Sequence, residues 1–133
     1  MRASKPGANW MAWSPRLLSV LRIVAACMYM LAGTSILFAF PMGMPPDGGT
    51  AKLFTQIWIG GALEVFGGGL LLLGLFTRPV AFILAGEMAV AYWQFHAPRG
   101  VWPTMNGGVS DVIYCFGWLY ISAAGAGPWR LDA

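Results

Sequence analysis

The stretch Gly60 to Pro79, GGALEVFGGGLLLLGLFTRP, constrains the fold more than any other part of the chain. It is apolar, it carries six glycines, and it has no charge between Glu64 and Arg78. In water such a segment makes a weak helix with an adhesive surface. In a bilayer the glycines have a use, because small residues let helix backbones approach where no hydrophobic force draws helices together. Glu64 is then the anomaly. A carboxylate inside the hydrocarbon slab is costly, so it must face protein, find a partner or carry a proton.

The rest of the composition agrees with a membrane setting. Of 133 residues, 58% are hydrophobic and only 10% charged. Soluble domains carry about 25% charged residues, so this chain lacks the polar surface to dissolve as a monomer. The net charge of +3 comes from scattered basic residues, not from a stripe suited to nucleic acid. Cys27 and Cys115 lie in apolar runs without CxxC or Cys/His ligand spacing. They read as small buried hydrophobes, with a disulfide or redox pair as the alternative, and no metal site is indicated. The apolar run from Leu17 to Phe40 exceeds a signal-peptide core of about 7–15 residues and has no small-residue cleavage site after it. It reads as a retained span.

The pattern predicts an all-α, polytopic membrane protein, a bundle of four transmembrane helices over residues 16–130. The expected helices are 16–40, 53–76, 79–95 and 109–124. Residues 1–15 form a basic cytoplasmic tail, with Trp10 and Trp13 at headgroup level. Pro41, Pro45 and Pro46 close the first helix. Thr77, Arg78 and Pro79 form a turn too short for anything but an antiparallel hairpin. Residues 95–108, FHAPRGVWPTMNGG, form a structured connector. Arg2, Lys5, Arg16, Arg78 and Arg130 flank one side and Lys52 and Arg99 the other, which places both termini in the cytoplasm.

The candidate site residues are Arg22, Glu64, Glu87, His96 and Asn106. Gly60, Glu64 and Gly68 are four apart and share one helix face, so the acid lies on the close-packing stripe. At about 1.5 Å per residue, Arg22 and Glu87 lie about 9 and 12 Å in from the cytoplasmic ends, and Glu64 sits near the midplane. Three charges from three helices thus fall in one layer, where pairing is the default. Two acids and one Arg do not balance, so one carboxyl is expected to be neutral, and Glu64 is the candidate. The layer reads either as an ion cluster that pins the helices in register or as a proton or ligand site. His96, the only histidine, either contacts a ligand or satisfies backbone groups in the connector. Asn106 either caps a turn or meets a polar ligand. Asp111 is expected to be solvated or paired with Arg99. Gly60, Gly68, Arg78 and Pro79 are assigned structural roles.

The segments LEVFGGGLLLLGLFTRP, EMAVAYWQFHAPRGVWPTMNGG and YCFGWLYISAAGAGPW resemble the DoxX family of small four-helix bacterial inner-membrane proteins. The resemblance covers about residues 16–130. It rests on an Arg in helix 1, a Glu ahead of the Gly-rich run, Thr-Arg-Pro at the turn, and His-x-Pro plus Asn-Gly-Gly before helix 4. The family's polar positions map onto Arg22, Glu64, Arg78, His96 and Asn106. One departure is local: family members often continue Asn-Gly-Gly with Glu, whereas here Val109 follows and the acid comes at Asp111. The family is related to DoxD of thiosulfate:quinone oxidoreductase. The resemblance implies a membrane component of a quinone- or thiol-linked redox system, with quinone as ligand and a redox partner protein or a homo-oligomer as its context. No flavin, haem or iron–sulfur motif is present, so enzyme activity is left open. The alternative is a non-enzymatic scaffold that packs on itself or on other membrane proteins.

Overall fold

A computed structural model describes residues 8–44 and 48–132. The basic residues Arg2 and Lys5, and the loop residues Pro45, Pro46 and Asp47, lie outside this range. Among the described residues there is no strand; an isolated bridge joins Met44 to Gly49. The helices are α1 (Ala8–Ala12), α2 (Ser14–Phe38), α3 (Gln56–Leu73), α4 (Thr77–Ala91), α5 (Pro103–Asn106) and α6 (Val109–Ala124). A π turn over Tyr92–His96 and a 3₁₀ turn over Ala97–Arg99 continue α4.

Local chemistry sets the ends. Pro15 falls in the first turn of α2, where its missing N–H costs nothing. Thr55 caps α3, its hydroxyl accepting from the Trp58 N–H at 3.3 Å. Gly74 stops α3 in the left-handed region at φ 72°. This cap and this stop make α3 shorter than the expected 53–76. The turn before α4 is therefore Gly74–Phe76, not Thr77–Pro79. Asp132 explains the early start of α4. Its two carboxylate oxygens accept from the Phe76 N–H at 2.6 Å and the Thr77 N–H at 3.1 Å. Arg78 and Pro79 consequently belong to the first turn of α4, where Pro needs no partner. At the other end α4 stops at Ala91 and widens into the π turn, so the regular helix does not reach Phe95.

α2 packs along α3, α4 packs along α6, and α3 touches α4 more sparsely. Glycines permit the closest approach. A Cβ on Gly33 of α2 would lie 2.8 Å from the Gly61 carbonyl oxygen and from the Glu64 Cβ on α3. Gly68 meets Met30 and the Ala26 carbonyl on α2, whereas Gly67 meets Leu84 on α4. The glycines of α3 therefore serve two neighbours from two faces. The core gathers Ala26, Tyr29, Leu71, Leu84, Trp118 and Ile121.

Polarity is arranged inside out. Ser19, Arg22, Glu64, Asn106 and Asp111 are buried, while Phe66, Phe82, Ile113 and Phe116 are exposed. Such an apolar exterior marks contact with lipid or protein. Two helices, α2 and α3, are long and apolar enough to cross a membrane; α6 is apolar but shorter. Cys27 is exposed and Cys115 half-buried, so the expectation of two buried thiols fails for Cys27, which faces outward from α2.

Candidate functional site

The sparse contact between α3 and α4 leaves a groove of about 500 Å³. Its walls are mostly apolar, with Ile57, Ile59, Leu63, Ile83 and Val90 among them. Its polar groups are Glu64 and Gln56 from α3, Glu87 from α4, His96 from the π turn and Asp111 from α6. Glu64 and Glu87 reach it for a sequence-level reason. Gly60 sits one turn before Glu64, and having no side chain it admits the Glu87 carboxylate; a Cβ there would lie 3.3 Å from Glu87 Oε1.

Each acid has a different environment. Glu87 is half-buried and accepts from the Tyr29 hydroxyl at 2.5 Å. Tyr29 itself is 1% exposed and packs against Tyr114 and Trp118, with ring centroids 5.1 and 5.5 Å away. Asp111 is 8% exposed, and its Oδ2 lies 2.5 Å from His96 Nδ1. That contact is an ion pair when the imidazole is protonated. Glu64 is also 8% exposed, and its Oε2 has no hydrogen-bond partner.

Arg22 does not join them, which corrects the expected three-charge layer. Its guanidinium turns to the other end of the bundle and donates to the carbonyls of Ala126 and Trp129. Arg22 precedes Tyr29 by seven residues, about 10 Å along the helix axis. Two carbonyls of the C-terminal tail receive it instead, Asp132 of the same tail lies within electrostatic reach, and Nε is left without a hydrogen-bond partner. Ser19 belongs to the same clasp, donating to the Ala126 carbonyl and accepting from the Trp129 N–H, both at 3.1 Å. Arg78 donates to the Ala123 carbonyl across the α4–α6 interface.

Of the candidate residues, Glu64, Glu87 and His96 line one groove. Asn106 stands behind it as a cap: it donates to the Tyr92 hydroxyl and the Gly100 carbonyl and accepts from the Gly108 N–H at 2.8 Å. That bracing holds the connector against the π turn that carries His96. Asp111 belongs to the groove and is paired with His96, neither solvated nor set against Arg99. The sequence carried a signal for this, since an acid three residues into α6 faces inward only if something polar receives it. Tyr29 is not among the sequence candidates; its one signal is its place seven residues after Arg22, on the same helix face. Among the described residues, no group of three His, Cys, Asp or Glu side chains is placed to hold a metal ion.

The DoxX family matches residues 17–97 of the chain, which include Arg22, Glu64, Glu87 and His96. An uncharacterized protein of Haemophilus influenzae is 40% identical over 127 residues, covering 93% of this chain and 94% of its own length. No solved structure matches. The chain belongs to the DoxX family.

Proposed function

We propose that the protein is a membrane component of a quinone- or thiol-linked redox system, and that the groove between α3 and α4 holds a quinone or similar lipophile. The observation that carries this reading is the groove itself: an apolar slot with Glu64, Glu87 and the His96–Asp111 pair at its polar wall. Lipophilic ligands with a polar ring suit sites of this kind, apolar walls giving affinity and a few polar groups giving orientation. A protonated Glu64, or the Nε2–H of His96 in its imidazolium form, supplies a donor for a ring carbonyl.

The membrane setting is a four-helix bundle in the bacterial inner membrane. Beyond α2 and α3, the 15-residue α4 runs directly into the 5-residue π turn, and their continuous winding supports a third span. The 16-residue α6 is about 24 Å long, against a slab of about 30 Å, and the connector ahead of it lengthens the fourth. The scaffold reading has less support, because Gly61, Gly67 and Gly68 are already spent on α2 and α4 within the chain.

The test is purification in mild detergent, followed by lipid extraction and mass spectrometry. A quinone that co-purifies with the wild type and is lost in Glu64→Gln is the expected result. A chain free of lipophile that brings down partner proteins would transfer the case to the scaffold reading.

A further inference from the structure

The same groove has a charge character that a quinone does not use. Its ionisable groups are three carboxyls and one imidazole, and neither Lys nor Arg is among its lining residues. Arg22, the nearest candidate for a counter-charge by sequence, is committed to the C-terminal tail. Glu64 is more than nine-tenths buried, lines the groove, and leaves Oε2 unpartnered. A buried carboxyl without a partner is a standing cost unless a proton or a ligand relieves it. The groups within electrostatic reach of it are Glu87 on α4, Asp111 and Tyr114 on α6, and Tyr29 on α2. His96 answers Asp111, and the Tyr29 hydroxyl answers Glu87. Nothing among them answers Glu64.

We infer that the groove between α3 and α4 is a binding site for a lipophilic cation, an apolar body bearing one positive charge, with Glu64 as its counter-ion and Glu87 as a second acceptor. The apolar walls receive the body. The carboxylates receive the charge in a low-dielectric setting, where an opposite charge counts for more than it does in water. Before binding, Glu64 holds a proton. The arriving cation replaces it, and that proton passes to the solvent, so charge inside the groove is conserved.

The test uses the full chain in mild detergent and two probes of the same shape and opposite charge, tetraphenylphosphonium and tetraphenylborate. Equilibrium dialysis is expected to show saturable binding of the phosphonium and none of the borate. Glu64→Gln is expected to weaken the phosphonium by about tenfold or more, the scale of one charged contact. In weakly buffered solution the wild type should release about one proton per cation bound. Equal binding of both probes, phosphonium binding without proton release, or no binding at all would overturn the inference. So would unchanged affinity in a folded Glu64→Gln chain. If that variant does not fold, the probe pair and the proton count on the unmodified chain still decide the matter. A bound quinone is not required for either outcome, so this inference and the quinone reading stand or fall separately.

Discussion

Arg22 shows how a buried charge can be met by backbone carbonyls rather than by the acids of the neighbouring helices. Its side chain is fully buried, yet its named partners are two backbone carbonyls from a tail more than a hundred positions away in sequence. Hydrogen bonds to a charged donor contribute about 1.5–3 kcal/mol each. Arg22→Met keeps the apolar stem but takes the charged donor from the Trp129 carbonyl and leaves the Ala126 carbonyl to Ser19 alone, so it should cost about 2 kcal/mol or more, read as a lower midpoint in thermal unfolding in detergent. Arg22→Lys should recover part of that, since one ammonium reaches fewer acceptors than a planar fork. This residue also marks a limit of the sequence. A misplaced Arg announces that something receives it, and the intramembrane acids were the visible candidates. Backbone carbonyls carry no sequence signature, so the true receiver was hidden. The opposite holds for Glu64 and Glu87. Their place on one groove follows from helical spacing and from the glycine at position 60, both of which can be read directly. Asp111 and His96 fall between these cases, because their pairing depends on the π turn and on the Asn106 bracing, which no periodicity announces.

At the level of elements, the glycines of α3 were legible as a packing device but not as a two-sided one. Gly33 and Gly61 set the distance between α2 and α3. A methyl at Gly33 would meet a backbone oxygen that cannot swing away, so Gly33→Ala should separate the pair and cost about 1–3 kcal/mol, measured by thermal unfolding beside the wild type. Gly117 in α6 is the control. A Cβ there meets nothing within 4 Å, so Gly117→Ala should raise stability by about 0.5–1 kcal/mol through helix propensity alone. The start of α4 makes a different prediction. Burial opposes the charge on Asp132, but hydrogen bonds from Thr77 and Phe76, aided by Arg130, hold its carboxyl below the ordinary aspartate range. A lowered folded value means that this stabilisation is fully present above the unfolded value and is lost as pH falls through the folded one. Wild type should therefore lose thermal stability on acidification below the ordinary aspartate range. Asp132→Ala should start about 1 kcal/mol lower at neutral pH, with a smaller acid-dependent loss.

At the level of the whole molecule, hydrogen bonds sort the chain into two ends. Ser19, Arg22, Phe76, Thr77, Arg78 and the segment from Ala123 to Asp132 are knitted together at one. At the other, Gln56 donates to Gln94. Asn106 braces the connector near His96 there. The groove takes Gln56, His96 and Asp111 from this second end into its lining. Basic residues follow the same division, Arg16, Arg78 and Arg130 against Lys52 and Arg99. If the bundle spans the inner membrane as proposed, loop charge puts the clasp in the cytoplasm and the groove in the outer half of the bilayer. Single cysteines test this in a background where Cys27 and Cys115 are replaced by alanine. In intact spheroplasts a membrane-impermeant maleimide should label Lys52→Cys and Arg99→Cys but not Arg16→Cys, which should react only after lysis. All three positions are exposed on the protein surface. Labelling of Arg16→Cys from outside would invert the bundle and turn the groove toward the cytoplasm. Labelling of all three would mean that the helices do not separate two compartments. The expected pattern has a consequence for the groove: with Gln56, His96 and Asp111 in its lining, it lies on the outer side, and a ligand entering between α3 and α4 comes from the outer half of the bilayer.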